Sequence, residues 1–165
     1  MTAPRKVYWK PALIAAVAAL VVAMIGGGLT ELGPWYRSLE KPSWQPPDWL
    51  FPVAWTAIYA LAASSAVLAW RGAKSRTQEY RIIALFIANG VLNILWSALF
   101  FFLHLPDWAL VEVGVLWLSI VVLIFVCAKA SKLASWLLVP YLAWVSVAAL
   151  LNYEVVRLNA PFTGS

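Results

Sequence analysis

The chain has 165 residues, of which 64% are hydrophobic and 12% charged, with a mean hydropathy of +0.82. Soluble domains carry roughly a quarter charged residues, so this composition excludes an ordinary soluble domain and points to a membrane protein. The formal net charge of +5 does not imply nucleic acid, because the basic residues are scattered between apolar runs and form no stripe; they read as topology signals.

Five apolar segments are long enough to cross a hydrocarbon core, which takes about 20 residues. They run over residues 11–32, 48–70, 81–103, 106–128 and 133–157. An open strand would leave backbone groups unpaired in lipid, so the expected fold class is all-α, a single membrane domain over 1–165 built as a five-helix bundle.

The first segment follows Arg5, Lys6 and Lys10 and is too long for the roughly 7 to 15 residue core of a secretory signal. It therefore reads as a first transmembrane helix. Tyr8 and Trp9 before it read as interfacial anchors, and Gly26, Gly27 and Gly28 within it as a place for close helix packing. It has no mid-span charge, which argues against a proton-coupled exporter.

The connection over 33–47 and the helix start after it are the most distinctive stretch of the chain. Between Trp35 and Trp55 stand four tryptophans, one tyrosine and four prolines. Proline restricts the backbone and removes donors, and the residue before it is pushed toward extended conformations. Such a connection is built to hold a shape. Asp48 is the expected N-cap of the second helix, whose Trp55 and Tyr59 share a face.

On the third helix Asn89, Asn93 and Ser97 recur every four residues, with Trp96 beside them. Amides at membrane depth need partners, so this face should point inward, either for hydrogen bonds between helices or to line a cavity. Ala84 and Ala88 form a small-xxx-small pair that can bring helices together. Pro106 suits the first turn of the fourth helix. Glu112, a turn and a half further on, is a functional candidate as an intramembrane carboxylate, placed near enough to the span end for water to reach it. Cys127 reads as a buried structural thiol.

On the fifth helix Trp144, Ala148 and Asn152 put a ring, a gap and an amide on one face, which could admit a flat ligand or fit a neighbouring helix. Pro140 is expected to kink the helix or free the Trp136 carbonyl. Glu154 and Arg157 are spaced for a local ion pair. Trp49, Trp70 and Trp108 fall at span ends as interfacial anchors. Nine of the twelve Lys and Arg residues lie on the side of the N-terminus and three on the other. In a bacterial-type inner membrane that places the N-terminus in the cytoplasm, with the Trp/Pro connection and the C-terminus on the other side.

Missing chemistry narrows the function. With His104 the only histidine and Cys127 the only cysteine, no His/Cys metal cluster can be built. No Gly-rich phosphate loop and no Ser/His/Asp set is present, so a hydrolase or nucleotide-driven pump is not expected and no cofactor is required.

The chain resembles the TspO/MBR family, the translocator proteins also called peripheral-type benzodiazepine receptors. The resemblance rests on Trp35-Tyr36, Leu39, Lys41-Pro42-Ser43-Trp44, Pro46-Pro47, Trp49, Trp55 and Tyr59. It continues through Leu92-Asn93, Trp96, Phe100-Phe101, Pro140-Tyr141-Leu142, Trp144, Leu151-Asn152, Arg157 and Asn159, so it covers all five spans. It implies a five-helix protein, often a homodimer, with a pocket for porphyrins such as protoporphyrin IX, and for sterols or drug-like ligands. Carried onto this sequence, the ligand-binding residues are Trp35 and Tyr36 in a lid, Trp55, Asn93, Trp96, Trp144 and Ala148. The family's sterol pattern falls on Leu151, Tyr153 and Arg157, and its dimer motif on Ala84 and Ala88. The implied roles are tetrapyrrole sensing or transport, light-dependent porphyrin breakdown with Trp55 and Trp144 as redox participants, or a ligand-regulated membrane scaffold.

Overall fold

The computed structural model describes residues 9–162. Arg5, Lys6 and Tyr8 lie outside them, and of Trp9 only the backbone is described. The architecture is all-helical, with five spans long and apolar enough to cross a membrane: Lys10–Leu29, Leu50–Gly72, Arg76–Phe102, Pro106–Ala128 and Lys132–Asn159.

The first span is α1 (Trp9–Leu29) and the connection after it contains one turn of helix, α2 (Pro34–Ser38). Pro34 sits at the start of α2, where its missing N–H costs nothing. The second span is α3 (Leu50–Gly72). Its N-cap is Trp49, with no side-chain cap; Asp48, the expected cap, instead accepts a hydrogen bond from Gln45 Nε2 at 3.3 Å and so ties the connection to itself.

The third span begins at Arg76, five residues ahead of the sequence expectation. The reason is local. Ser75 is followed three residues later by Gln78, the spacing of a capping box: Ser75 Oγ accepts from the Gln78 backbone N–H at 3.2 Å, while Gln78 Oε1 accepts from Lys74 N–H at 2.9 Å. The helix, α4 (Arg76–Ser97), continues into a π-helical turn over Ala98–Phe102. Leu103 N–H reaches back five residues to Ala98 O at 2.8 Å, the bonding that defines such a turn. It ends at His104, whose φ of 56° lies in the left-handed region that few residues other than glycine occupy.

The fourth span is α5 (Pro106–Ala128), and the fifth is divided into α6 (Lys132–Trp136) and α7 (Val139–Asn159). Pro140 therefore does not kink a continuous helix: the chain breaks at Leu137 and Leu138, and the proline occupies the first turn of α7, the position where it is best tolerated.

Helix α5 is the most deeply packed, against α4 on one side and α6 and α7 on the other. Val113, Leu116, Ile120, Leu123 and Cys127 line its buried face. Helix α1 is the least buried, and the glycines mark the difference along it. A Cβ on Gly26 would make ordinary contact with Tyr59 Oη and Ser97 Oγ at 3.8 Å, while one on Gly27 or Gly28 would meet nothing, so only Gly26 serves the close packing expected of all three. Trp49 and Trp108 are exposed at the end of the bundle that carries α2, and Tyr80 and Trp136 at the other, as interfacial aromatics should be.

Candidate functional site

The site is an aromatic layer at one end of the bundle, roofed by the segment over 33–47. Its floor is set by polar residues on four helices. Tyr59 Oη donates to Asn93 Oδ1 at 2.7 Å, and Asn93 Nδ2 donates to Tyr141 Oη at 3.3 Å. Tyr141 donates in turn to Asn89 Oδ1 at 3.1 Å, and Asn89 Nδ2 to Ser119 Oγ at 2.8 Å. This chain ties α3, α4, α7 and α5 together and gives both asparagines the partners that membrane depth demands. Of the two roles open to Asn93, hydrogen bonding between helices is occupied.

Above this floor the rings stack in sequence. Trp55 lies 5.6 Å from Tyr59, 6.4 Å from Trp96 and edge-on to Tyr141 at 6.3 Å. Trp96 meets both Phe100 at 5.8 Å and Phe101 at 5.9 Å, residues four and five positions on. The π turn, with its five-residue bonding, brings both onto the same side. Trp96 Nε1 donates to Asn152 Oδ1 at 3.2 Å, and Asn152 Nδ2 to the Pro106 carbonyl at 2.7 Å. The third and fifth helices are thus pinned at the level of the fourth helix's start.

The roof closes on these rings. Trp35 packs edge-on to Phe100 at 6.1 Å and stacks on His104 at 4.1 Å, which gives the left-handed residue its role. Tyr36 is buried and packs on Phe101 at 5.8 Å, with Lys41 Nζ 4.1 Å over its ring, a cation–π contact. Gln45 Nε2 donates to Tyr36 Oη at 3.4 Å. Burial, with Asp48 nearby as the smaller cause, pushes the Tyr36 phenol above its ordinary pKa, and the Gln45 bond opposes this. The phenol is therefore neutral at physiological pH and keeps its proton to donate. The far end of the roof is clasped to α7: Asn159 Oδ1 accepts from Glu40 N–H at 2.8 Å and Asn159 Nδ2 donates to Glu40 O at 2.8 Å.

Trp144 and Ala148 lie on the face of α7 that also carries Asn152. Trp144 packs edge-on to Phe51 at 5.6 Å, and its Nε1 is buried without a hydrogen-bond partner. Ala148 is buried. Glu112 departs from expectation. It is only 7% exposed rather than within reach of water, and neither carboxyl oxygen has a partner.

The remaining sequence candidates lie away from this layer. Leu151 is buried while Tyr153 is 51% exposed, so they share no face. Arg157 pairs with Glu154 at 2.7 Å. Ala84 and Ala88 are exposed on the outer side of α4. Among the described residues no cluster of His, Cys, Asp or Glu could hold a metal ion. Two apolar recesses lie nearer the opposite end, one of about 680 Å³ between α1 and α3 and one of about 670 Å³ between α1, α3 and α4. The second reaches the polar floor at Tyr59, Asn89, Asn93 and Tyr141. Of the seven ligand-binding candidates only Asn93 lines either recess.

His104, Gln45 and Tyr141 complete the layer without standing among those candidates. Gln45 and Tyr141 fall inside the stretches that carry the family resemblance or beside its marked positions. His104 gave only the signal of a lone polar residue at a helix end.

The comparisons with known proteins agree with this architecture. The TspO/MBR family profile matches residues 13–158. The "Tryptophan-rich protein TspO" of Chlorobaculum tepidum is 42% identical over 126 residues, 76% of this chain and 79% of that protein. The "Tryptophan-rich sensory protein" of Cereibacter sphaeroides is 36% identical over 133 residues, 81% and 82% of the two chains. The "Translocator protein" of Sus scrofa is 33% identical over 156 residues, 90% and 92%. A match of this extent, over all five spans and the roofed aromatic layer, makes the chain an integral multi-pass membrane protein that belongs to the TspO/MBR family.

Proposed function

We propose that the roofed aromatic layer binds tetrapyrroles such as protoporphyrin IX, and that the protein acts in their sensing, transport or regulation. The observation that carries this reading is the run of rings from Trp35 through Phe100, Trp96 and Trp55 to Tyr141 under a clasped roof. A porphyrin is a flat apolar macrocycle with two carboxylates, so it needs aromatic walls and a few polar groups to orient it. Trp55, Trp96 and Trp144 supply walls, and Tyr36 and Lys41 at the roof meet carboxylates. The printed name "sensory protein" of one relative supports a regulatory role.

The test is quenching of tryptophan fluorescence by protoporphyrin IX in the dark, for the wild type and Trp144→Ala. Trp144→Ala is expected to weaken binding by roughly tenfold, in keeping with the loss of a large ring contact. Unchanged binding in both Trp144→Ala and Trp55→Ala would remove the ligand from this layer.

A second reading, light- and oxygen-dependent porphyrin breakdown, is favoured by the packing of Trp55 against Trp96 and Tyr59, a set of rings able to pass electrons to an excited macrocycle. It predicts a defined product under illumination that is lost in Trp55→Phe or Trp144→Phe. In either role the N-terminus is cytoplasmic in a bacterial-type membrane, with the roof on the opposite side. The exposed Ala84/Ala88 face meets a second copy of the chain, and Tyr153 and Arg157 offer an outer face to sterol-like lipids.

A further inference from the structure

The recess between α1, α3 and α4 is elongated, and among the described residues no charged side chain lines it. Its walls run from Tyr59 to Trp70 on α3 and from Ile82 to Ile94 on α4, which at about 1.5 Å per residue makes it roughly 16 to 18 Å long. Its exposed liners, among them Ile14, Val21, Ile83 and Ile87, stand on α1 and α4. It therefore opens sideways between those two helices. The polar floor closes its inner end at mid-span, because Asn89 lies near the centre of Arg76–Phe102.

An ordinary acyl chain, entering from the membrane surface, would bring only a methyl group to that floor, where hydrogen-bonding capacity is left over. A primary amide carries two N–H donors. Asn89 Nδ2 gives one to Ser119 and Asn93 Nδ2 one to Tyr141, and neither gives its second to a described residue. Tyr59 Oη donates to Asn93 and accepts from no described residue. Ser97, on the next turn of α4 and only 7% exposed, has no side-chain hydrogen bond with a described residue. The missing Cβ of Gly26 would lie 3.8 Å from both the Tyr59 and Ser97 hydroxyls, so the glycine leaves space beside them.

Spare donors next to a spare acceptor suit a group that both accepts and donates. A hydroxyl does both. A ketone or ester would use the donors alone, and a carboxylate would carry its charge to membrane depth, where charge is costly. We propose that this recess binds a long-chain alcohol head first, with the hydroxyl on the polar floor at Tyr59 and Asn93 and the end of the alkyl chain at Trp70. The site lies across the floor from the roofed aromatic layer and does not depend on the tetrapyrrole reading.

The experiment uses the full chain in lipid nanodiscs and three probes, ω-bromododecanol, bromododecane and ω-bromododecanoic acid. They share one dodecyl chain, which when extended is about as long as the recess. Each is titrated against tryptophan fluorescence, and bromine quenches an indole that it touches. Trp49, Trp108 and Trp136 are exposed and give quenching that rises without saturating. Beyond this the alcohol should give a saturable component, because a chain held head first brings its bromine to Trp70. That component should be half-complete at roughly tenfold lower membrane concentration than any given by bromododecane, the scale of two added hydrogen bonds. The acid should give none at neutral pH. Trp70→Phe should abolish the component by removing the indole that reports it. Ala18→Leu with Ala66→Leu, which places side chains in the recess, should abolish it while unfolding at the wild-type temperature or above. That unfolding temperature separates lost binding from misfolding.

Equal affinity for the alcohol and bromododecane overturns the proposal, since the floor then recognises nothing and the recess is a groove for any chain. Preferential binding of the acid overturns it in favour of an anion site. A saturable component that survives either Trp70→Phe or the filled recess puts the bromine elsewhere and also overturns it, as does the absence of saturable quenching by all three probes. None of these outcomes bears on porphyrin binding, which is read separately.

Discussion

Tyr141 carries more of the site than its place in a family motif suggests. Its hydroxyl is both acceptor from Asn93 and donor to Asn89, so Tyr141→Phe strips partners from two buried amides at once. Each stranded polar group costs about 1 to 3 kcal/mol. Tyr141→Phe is expected to lower the unfolding temperature by several degrees, measured by thermal unfolding in detergent, while leaving the helix content of the folded protein unchanged. Tyr59→Phe, which strands only Asn93 Oδ1, should cost less than half as much. At the roof, Tyr36 stays neutral above the ordinary tyrosine pKa because it is buried. A phenol with a raised pKa keeps its proton as pH rises through about 10, so a contribution from its O–H to carboxylate binding should persist there, and Tyr36→Phe should remove it at every pH. Quenching titrations at pH 7 and pH 10 check this. The four-residue spacing of Asn89 and Asn93 made their inward orientation legible from sequence alone. Their satisfaction was not, because it depends on two tyrosines from other helices whose register the spacing cannot state.

The helices were legible to within a turn wherever a single local signal controls the boundary, as at Pro106, and less so where two signals compete. The third span begins early because the Ser75 and Gln78 side chains cap it, overriding a run of charge that otherwise reads as connection. The fifth span divides before Pro140, since the chain can place the proline in a first turn at the cost of a short break and thereby avoid a kink. Close contact at the end of α3 was invisible in sequence. Gly72 approaches the turn after α5 so nearly that a Cβ there would fall on the Ala130 carbonyl, a backbone group that cannot swing aside. Gly72→Ala should therefore destabilise the protein by about 1 to 3 kcal/mol, the range for forced overpacking, even though alanine is the better helix former. The roof makes the opposite prediction. Asn159 holds it through two bonds to the Glu40 backbone at a partly exposed position, so Asn159→Ala should leave global stability nearly unchanged. Hydrogen exchange over residues 34–48 should rise by roughly fivefold or more, consistent with the loss of about 1 kcal/mol of local closure.

At the scale of the molecule the bundle is asymmetric. One end is packed with rings and closed by the roof, while the other is apolar, rich in alanine and opened by two recesses along the poorly buried α1. The polar floor from Tyr59 to Asn89 separates them and faces both, since Tyr59, Asn93 and Tyr141 touch the aromatic layer or its floor and also line the larger set of recess walls. A flat ligand has two alternative positions in such a molecule, among the rings or in the recesses, and the rings argue for the roofed end: a macrocycle gains from stacking on Trp and Phe and gains little from alanine. The consequence can be tested by filling a recess. Ala18 and Ala66 line the recess between α1, α3 and α4 and belong to none of the ring contacts. Ala18→Leu with Ala66→Leu should occupy part of that recess and hold or raise the unfolding temperature, because added methylenes there find space and apolar neighbours. Porphyrin quenching should be unaffected in this double variant and diminished in Trp144→Ala. The reverse pattern, with binding lost on filling the recess and retained without the Trp144 ring, would move the ligand to the far side of the polar floor, where the roof could no longer govern its entry.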